Sequence, residues 1–317
     1  MMSDLPLDQV RTLLAVVDEQ SFDRAAAVLH VTPPAVSQRV KALEQRIGRV
    51  LVLRSKPVRL TESGEVLVRF ARQLTRLEAD TRAALGGPGG ATTLPIAVNA
   101  DSLATWFLSA LEAVPAEPPI SFDLRSDDQD HTAVLLREGL VMAAVTATPQ
   151  PVQGCTVTRL GSMRYRAVAS PEFAARWLDG GSLAERLPAA PAVLFDRKDD
   201  LQDRFLRRLT RRRLPSPVRH YVPASVSFVD AVAAGLAWGM VPELQLRGRD
   251  LVDLAPDRPA DVALYWQQWK LESPPLAAVA EAVRKAAGRA LDPAKRQTRT
   301  GRAGHAVRAA AEGKEGR

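Results

Sequence analysis

The sequence has little of what several large protein classes require. Its one cysteine, Cys155, excludes an intrachain disulfide and argues against a cysteine-ligated zinc site. No apolar run reaches the roughly eighteen residues of a membrane span, so we expect none. The N-terminus carries acidic residues and no long apolar core, so we expect no signal peptide. These absences favour a soluble protein of the reducing cytoplasm.

Signatures of catalysis are also missing. The sequence contains no phosphate-binding loop, no G-x-S-x-G elbow and no H-E-x-x-H motif. Its four histidines lie in separate segments: His30, His131, His220 and His305. We therefore expect no enzyme and no metal site. An enzyme built on the C-terminal two thirds of the chain remains the alternative.

The positive charge is unevenly distributed. The chain has 317 residues and a net charge of +7, and its length predicts two or three domains. Residues 1–86 carry +3, residues 87–288 carry −1 and residues 289–317 carry +5. The basic balance therefore belongs mostly to the C-terminal tail, and it does not by itself indicate a DNA-binding core.

Residues 21–48 predict two short helices joined by a tight connection. Ser21 and Thr32 are suitable N-caps, and Pro33 suits the first turn of the second helix. That helix has one buried stripe with helical spacing: Val36, Val40, Leu43 and Ile47. Its other face carries groups that suit a DNA major groove: Pro34, Ser37, Gln38, Lys41 and Gln45. An ordinary pair of surface helices is the alternative.

A short β-hairpin, or wing, is predicted after this helix pair. Residues 50–53 and 58–60 have strand character, and the turn between them carries Arg54 and Lys56. Seven cations stand between positions 39 and 59 against Glu44 alone: Arg39, Lys41, Arg46, Arg49, Arg54, Lys56 and Arg59. Such a cluster is typical of phosphate contacts, although a solvated basic face would look the same.

A long helix is predicted from Thr61, its N-cap. Its apolar positions alternate spacings of three and four, as in a coiled-coil seam: Leu67, Phe70, Leu74 and Leu77, continued by Thr81 and Ala84. We expect this seam to form a homodimer; packing against its own domain is the alternative. Residues 86–90, GGPGG, predict a hinge.

Beyond the hinge, strand and helix patterns alternate, which predicts a parallel α/β region of two lobes joined by crossing strands. The fold class is therefore α plus α/β. The expected domains are 1–61 (winged helix-turn-helix), 62–86 (linker helix), 87–91 (hinge) and 92–292 (two lobes, the second about 164–266). Residues 293–317 predict a basic disordered tail. Ligands of such sheets bind where strands end and helices begin, so we expect a cleft between the lobes.

The run AAAVLHVTPPAVSQRVKALEQRIGRVLVLR, the following TESG and the helix before them resemble the LysR-type transcriptional regulators. The resemblance covers about residues 5–288. Two stretches, residues 5–39 and the later DDQDHT, resemble the ArgP/LysG subfamily within it. The resemblance implies a double-stranded DNA partner, a dimer or dimer of dimers, and L-lysine or L-arginine as effector. It also implies control of genes such as a basic amino-acid exporter.

The resemblance also implies site residues. The DNA contacts would be Thr32, Pro33, Pro34, Ser37, Gln38 and Lys41, with Arg54 and Lys56 from the wing. Gln38 stands where the family more often has Arg, so it would favour adenine over guanine if it reads a base. The implied effector contacts are Ala100, Asp101, Ser102, Asp127, Asp128, Asp130, Thr146, Ser225 and Ser227.

Two of these effector roles have alternatives. The Ser102 hydroxyl could hold an α-carboxylate, or it could only cap a helix. The aspartates at 127, 128 and 130 could hold the cationic end of lysine or arginine, or form a solvated turn. A different metabolite as effector, or a solute-binding module without DNA function, remains open. A redox switch is disfavoured because Cys155 has no partner for an internal disulfide.

Overall fold

The computed structural model describes residues 5–85, 92–117, 119–127, 132–212, 215–271 and 273–292. The predicted hinge, Gly86–Gly90, and the tail at 293–317 lie outside these ranges. None of the helices within them combines the length and apolarity needed to cross a bilayer.

The N-terminal unit is a helical bundle with a two-stranded wing. Its elements are α1 (Leu7–Asp18), α2 (Phe22–Val28), α3 (Pro33–Ile47), β1 (Val52–Leu53), β2 (Arg59–Leu60) and α4 (Glu62–Ala84). The helical stripe predicted on α3 is buried as expected, with Val36, Val40 and Leu43 fully inaccessible. These side chains pack on Val10 and Leu13 of α1 in one core.

Side-chain hydrogen bonds fix the turns of this unit. Ser21 Oγ accepts from the Arg24 amide at 3.4 Å, and Thr61 Oγ1 accepts from the Gly64 amide at 3.1 Å, so both predicted N-caps form. Thr32 occupies the N-cap of α3 but makes no capping bond with its side chain. Glu44 ties α3 to the wing, because its Oε1 accepts from the Leu51 amide at 2.8 Å.

The linker helix α4 divides its apolar residues between two faces. Leu67, predicted to lie in the dimer seam, is only 7% exposed and packs in the core of its own domain. Phe70 and Leu77 are 37% and 47% exposed, and Leu74 is half-buried. The N-terminal bundle buries Leu67 and its neighbours, whereas Val66, Phe70 and Leu77 leave an accessible apolar face along α4.

The C-terminal unit contains the remaining helices and strands. Its first part comprises β3 (Thr92–Asn99), α5 (Ala100–Thr105), α6 (Phe107–Glu112), β4 (Ile120–Asp127), α7 (Thr132–Arg137), β5 (Ala143–Thr146) and β6 (Cys155–Ala169). The second comprises α8 (Pro171–Leu178), α9 (Leu183–Arg186), β7 (Ala192–Leu194), α10 (Leu201–Thr210), β8 (Arg219–Tyr221), α11 (Ser225–Ala233) and β9 (Gly239–Pro242). The chain then forms β10 (Val252–Asp253), β11 (Ala260–Trp269) and α12 (Pro274–Ala290).

The two lobes share one sheet, which confirms the predicted crossing strands. Its order is β10-β6-β11-β5-β3-β4, and β9 also pairs with β6. β3 is parallel to β4 and β5, but β11 is antiparallel to β5 and β6. The predicted parallel pairing is therefore present among β3, β4 and β5 of the first lobe and in the separate β7–β8 pair of the second, whereas the crossing strands are antiparallel. Since β6 takes the chain into the second lobe and β11 brings it back, the two must run in opposite directions.

One predicted helix is divided. The pattern from Asp101 to Val114 predicts a single helix, whereas α5 and α6 meet at Trp106, whose φ of −120° interrupts the helix. Trp106 is buried and belongs to the main core. The break lets α5 start at the end of β3 while α6 packs against α12.

Arginines on α4 join the linker helix to both units. Arg72 Nη2 lies 2.6 Å from Asp18 Oδ1 of α1, and its Nη1 donates to the Glu138 carbonyl, beyond α7. One turn on, Arg76 Nη1 donates to the Thr93 carbonyl of β3 at 3.0 Å. The C-terminal unit is therefore held directly against the helix that carries the N-terminal unit.

Candidate DNA-reading surface and effector cavity

The predicted DNA contacts lie on one side of the N-terminal unit. Along α3 and its N-cap, Thr32, Pro33, Pro34, Gln38 and Lys41 are exposed, and Ser37 is half-buried. The wing residues Arg54 and Lys56 are also exposed. Since the opposite stripe of α3 is fully buried, the polar face is the one available to a groove.

The wing is anchored near the helix pair. The Arg54 guanidinium carbon lies 5.3 Å from the centroid of the Phe22 ring on α2, a cation–π contact. Ser55 Oγ donates to the Pro57 carbonyl at 2.6 Å and shapes the turn. These contacts limit the freedom of the wing cation while leaving its charge accessible, as a phosphate contact requires.

A cavity of about 520 Å³ lies between the lobes, at the carboxyl end of β3. Residues from three regions line it: Asn99, Ala100 and Asp101 after β3, Tyr165 on the crossing strand β6, and Asp199 and Ser225 from the second lobe. The predicted position of the cleft therefore coincides with a cavity. Its volume is within the range of small-molecule sites.

Asp101 is the centre of a hydrogen-bond network in this cavity. Its Oδ2 accepts from the Tyr165 hydroxyl at 2.7 Å, and its Oδ1 accepts from Ser225 Oγ at 2.6 Å. Ser225 Oγ in turn accepts from Gln245 Nε2 at 3.0 Å. Asp101 thus links the first lobe to the crossing strand and to α11.

Burial raises the pKa of Asp101, and the hydrogen bonds from Ser225 and Tyr165 oppose that rise. The pKa of Asp199 is also raised, chiefly by burial and further by repulsion from Asp101. Amide donors oppose this second shift, because Asp199 accepts from Phe195 at 2.9 Å and from Leu201 at 3.0 Å. Each carboxylate would gain from a cation placed between them.

The cavity wall also carries the cation Lys198 and two carboxylates that form ion pairs. Asp200 Oδ1 lies 3.0 Å from Arg204 Nε, and Asp261 Oδ1 lies 2.9 Å from Arg164 Nε. Within the described residues, Asp101 and Asp199 form no ion pair. The wall therefore presents net negative charge, which favours a cationic ligand.

The other predicted effector residues have varied positions. Ser102 and Thr146 are fully buried and do not line the cavity, and Ser227 is exposed on α11. Asp127 ends β4, where its backbone pairs with that of Asn99. Asp128 and Asp130 lie outside the described residues.

Sequence reasoning missed three residues of this wall. Asn99 and Asp199 were not among the implied effector contacts, although Asn99 directly precedes Ala100, which was. Tyr165 was not predicted at all, because a tyrosine within a strand pattern indicates packing. Only its distance of 2.7 Å from Asp101 gives it a role.

Asn99 has an uncommon environment. It is 1% exposed, yet neither atom of its amide group makes a hydrogen bond to another described residue. An unsatisfied buried polar group costs about 1–3 kcal/mol.

Among the described residues, no group of three or more His, Cys, Asp or Glu side chains is arranged to hold a metal ion.

Family models match both units of the chain. Residues 7–65 match "Bacterial regulatory helix-turn-helix protein, lysR family", and residues 88–288 match "LysR substrate binding domain". The chain is 47% identical over 294 residues to the HTH-type transcriptional regulator LysG of Mycobacterium tuberculosis strain H37Rv, which covers 90% of this chain and 95% of the relative.

LysG of Corynebacterium glutamicum is similar in both sequence and structure. The lysine export transcriptional regulatory protein LysG is 43% identical over 293 residues, covering 90% of this chain and 99% of that protein. A structure of full-length LysG with bound effector Arg superposes with a TM-score of 0.78 at 41% identity, covering 90% of this chain and 99% of that one. The chain therefore belongs to the lysR family of bacterial helix-turn-helix regulators.

Proposed function

We propose that this protein is a DNA-binding transcriptional regulator whose activity is controlled by a basic amino acid, L-arginine or L-lysine. The observation that carries the effector assignment is the cavity wall, where Asp101 and Asp199 are buried carboxylates without a cationic partner among the described residues. The C. glutamicum relative with bound arginine supports the same ligand class.

The DNA-reading surface is proposed as the polar face of α3 together with the wing. Gln38 and Lys41 would reach base edges and phosphates in the major groove, flanked by Ser37 and the N-terminal prolines. Arg54 and Lys56 would contact the backbone beside it. Phe70, Leu74 and Leu77 of α4 would pair with a second copy, giving two reading heads for a two-fold operator.

Effector control would act through the lobes. Asp101 already contacts the crossing strand and α11, so a cation bound to it would change the balance of contacts between the lobes. β4 ends at Asp127, which is paired with Asn99 at the end of β3, so the carboxyl ends of these two strands lie at the same edge of the sheet. The effector would shift DNA binding only through its different affinity for two arrangements.

The regulated genes would include an exporter of basic amino acids, and the protein would work in the cytoplasm without catalysing a reaction. The lysine-export role named for the C. glutamicum relative supports this target. Recovery of chemically unchanged ligand after long incubation would agree with a role in sensing, whereas turnover would contradict it.

The direct test combines two measurements on the full-length protein. Calorimetric titration with L-arginine and L-lysine should give saturable binding, and titration with L-glutamate should give none. Binding to its own promoter region should exceed binding to random DNA at equal salt and should change when the effector is added. Absence of any heat with both basic amino acids would contradict the effector assignment; equal binding to both DNAs would contradict the regulatory one.

A further inference from the structure

Asn99 ends β3 at the point where the cavity begins. Its side chain lines the cavity and is almost completely buried, at 1% exposure. Two residues further on, both oxygens of Asp101 accept hydrogen bonds from the protein. Neither the oxygen nor the nitrogen of the Asn99 amide has such a partner in the described ranges. A buried amide without partners inside a ligand cavity indicates a group that is satisfied by the ligand.

The charges around Asn99 indicate which part of a ligand it holds. Asp101 and Asp199 provide for positive charge, as both are carboxylates without an ion pair to the described residues. A basic amino acid also carries a carboxylate, which needs N–H or O–H donors. Two cations line the same cavity: Arg204, which is paired with Asp200 at 3.0 Å, and Lys198. The Asn99 Nδ2 offers two donors on a neutral group, which suits an anion inside an otherwise acidic wall.

Ser102 was the predicted carboxylate anchor. Its hydroxyl is fully buried, lies one turn further along α5 and does not line the cavity. Asn99 is among the residues that line the cavity, so its amide is a closer donor to the cavity than the Ser102 hydroxyl.

We infer that Asn99 is a specificity-determining residue that holds the α-carboxylate of the effector through Nδ2, an assignment that rests on the proposed basic amino-acid ligand. The protein thereby distinguishes an amino acid from the corresponding amine. Agmatine is arginine without its carboxylate, so comparing the affinities for arginine and agmatine measures what the carboxylate contributes to binding.

The absence of protein partners for the amide gives a second, ligand-free readout. Asn99→Leu keeps the number and branching of the side-chain heavy atoms and removes two unsatisfied polar atoms, so the ligand-free variant should unfold at the same temperature or higher. If Asn99 had only a structural role, both Asn99→Leu and Asn99→Asp would unfold at lower temperature.

Calorimetric titration of the full-length protein with L-arginine and agmatine tests the inference. Asn99→Leu should weaken L-arginine binding by about tenfold or more, because a hydrogen bond to a charged group is lost. It should change agmatine binding by less than about twofold. Asn99→Asp should weaken L-arginine further than Asn99→Leu does, since it places a carboxylate beside the ligand carboxylate. Ser102→Ala serves as the matched control and should change L-arginine binding less than either.

Several results would overturn the inference while leaving the proposed function intact. The first is wild-type protein that binds agmatine as tightly as arginine. The second is an Asn99→Leu variant in which the affinities for both ligands fall equally or do not fall. The third is an Asn99→Asp variant that binds arginine more tightly than Asn99→Leu does. A lower unfolding temperature in both ligand-free variants would do the same. If agmatine binds too weakly to measure, the test rests on the arginine affinities of the two Asn99 variants, of which Asn99→Asp should bind more weakly. Wild-type protein that binds neither arginine nor lysine would overturn the proposed function, and the inference with it.

Discussion

Ser225, at the start of α11 in the second lobe, donates a hydrogen bond of 2.6 Å to Asp101 Oδ1 at the start of α5 in the first. The two residues are separated by 124 positions in sequence. Their bond is a direct polar contact between the lobes, and it lies on the wall of the cavity. Any ligand that uses Asp101 therefore acts on a group that already joins the two lobes.

Ser225→Ala should weaken L-arginine binding by about tenfold, because Asp101 loses a donor that helps to keep it ionised. Calorimetric titration at neutral pH is the measurement. Ser227→Ala, on the exposed side of the same helix, is the matched control and should bind normally. Equal weakening by the two changes would show that the effect comes from the helix and not from the Asp101 contact.

Asp101→Asn should bind arginine at least about tenfold more weakly, while the ligand-free variant should be more stable than wild type at neutral pH. The expected gain in stability follows from the raised pKa of Asp101 in the folded protein. A group with a raised pKa contributes stability that is present below its unfolded pKa and lost as pH rises through its folded pKa. Asparagine removes that loss because it never ionises.

The same shift sets a pH dependence for the wild-type protein. Arginine binding should weaken as pH falls through the raised pKa of Asp101, at a higher pH than for an ordinary aspartate near about 3.9. Titrations across the acidic range, with Asp101→Asn as the control, measure this. Binding that stays constant down to the ordinary aspartate range would contradict a role for Asp101 in holding the cation.

Gln38→Arg should change DNA sequence preference without changing effector affinity. Glutamine pairs with adenine and arginine with guanine, and each good pair contributes about 1–3 kcal/mol of discrimination. The promoter region with each base varied in turn is the substrate. Lys56→Ala is the contrasting variant, and it should weaken binding to all DNA sequences alike. It should also reduce by about 1 the slope of the logarithm of the binding constant against the logarithm of the salt concentration. A Gln38→Arg variant with unchanged preference would place Gln38 away from the bases.

Arg72→Gln should separate effector binding from the response to it. Arg72 contacts Asp18 in the N-terminal unit and the Glu138 carbonyl in the C-terminal unit. Removing this link should leave arginine affinity within about twofold while reducing the effector-induced change in promoter affinity. Arg284→Gln, which removes an exposed guanidinium on α12, is the matched control. An unchanged response would mean that the two units communicate by another route.

Gly64→Ala should destabilise the N-terminal unit by about 1–3 kcal/mol. A Cβ at this position would lie 2.0 Å from the Leu51 carbonyl oxygen, so α4 would have to move away from the wing. Thermal unfolding and promoter binding should both suffer, while the arginine affinity should not. Gly288→Ala on α12 meets no atom within 4 Å and should instead stabilise by about 0.5–1 kcal/mol.

Local patterns predicted the N-terminal unit well. The stripe from Val36 to Leu43, the cap at Ser21 and the cap at Thr61 depend on spacings of a few residues, and the structure has all three. The same reasoning could not divide the apolar residues of α4. Leu67 and Phe70 both fit a coiled-coil seam. Only the position of the neighbouring bundle decides that Leu67 is buried in the core of its own unit and that Phe70 is exposed.

The cavity shows the same division more strongly. Strand alternation predicted a cleft between the lobes, and the family resemblance implied Asp101 and Ser225 as contacts within it. Tyr165 was out of reach of that argument, since it comes from the middle of the crossing strand β6. The family resemblance implied that aspartates 127, 128 and 130 could hold the cation; their side chains lie outside what the structure describes, and the described wall offers Asp101 and Asp199.

By itself, the sequence determined the helix-turn-helix, the linker helix, the two-lobed α/β region and the position of the cleft, because periodicity, capping and strand alternation are local properties. Tertiary structure alone decided which polar groups meet. Asp101, Tyr165 and Ser225 are brought together across 64 and 124 residues, and the Asn99 amide is left without a partner at their edge. Hydrogen bonds across a cavity depend on how the two lobes pack, and the spacing of residues along the sequence does not determine the distance between polar groups of different lobes.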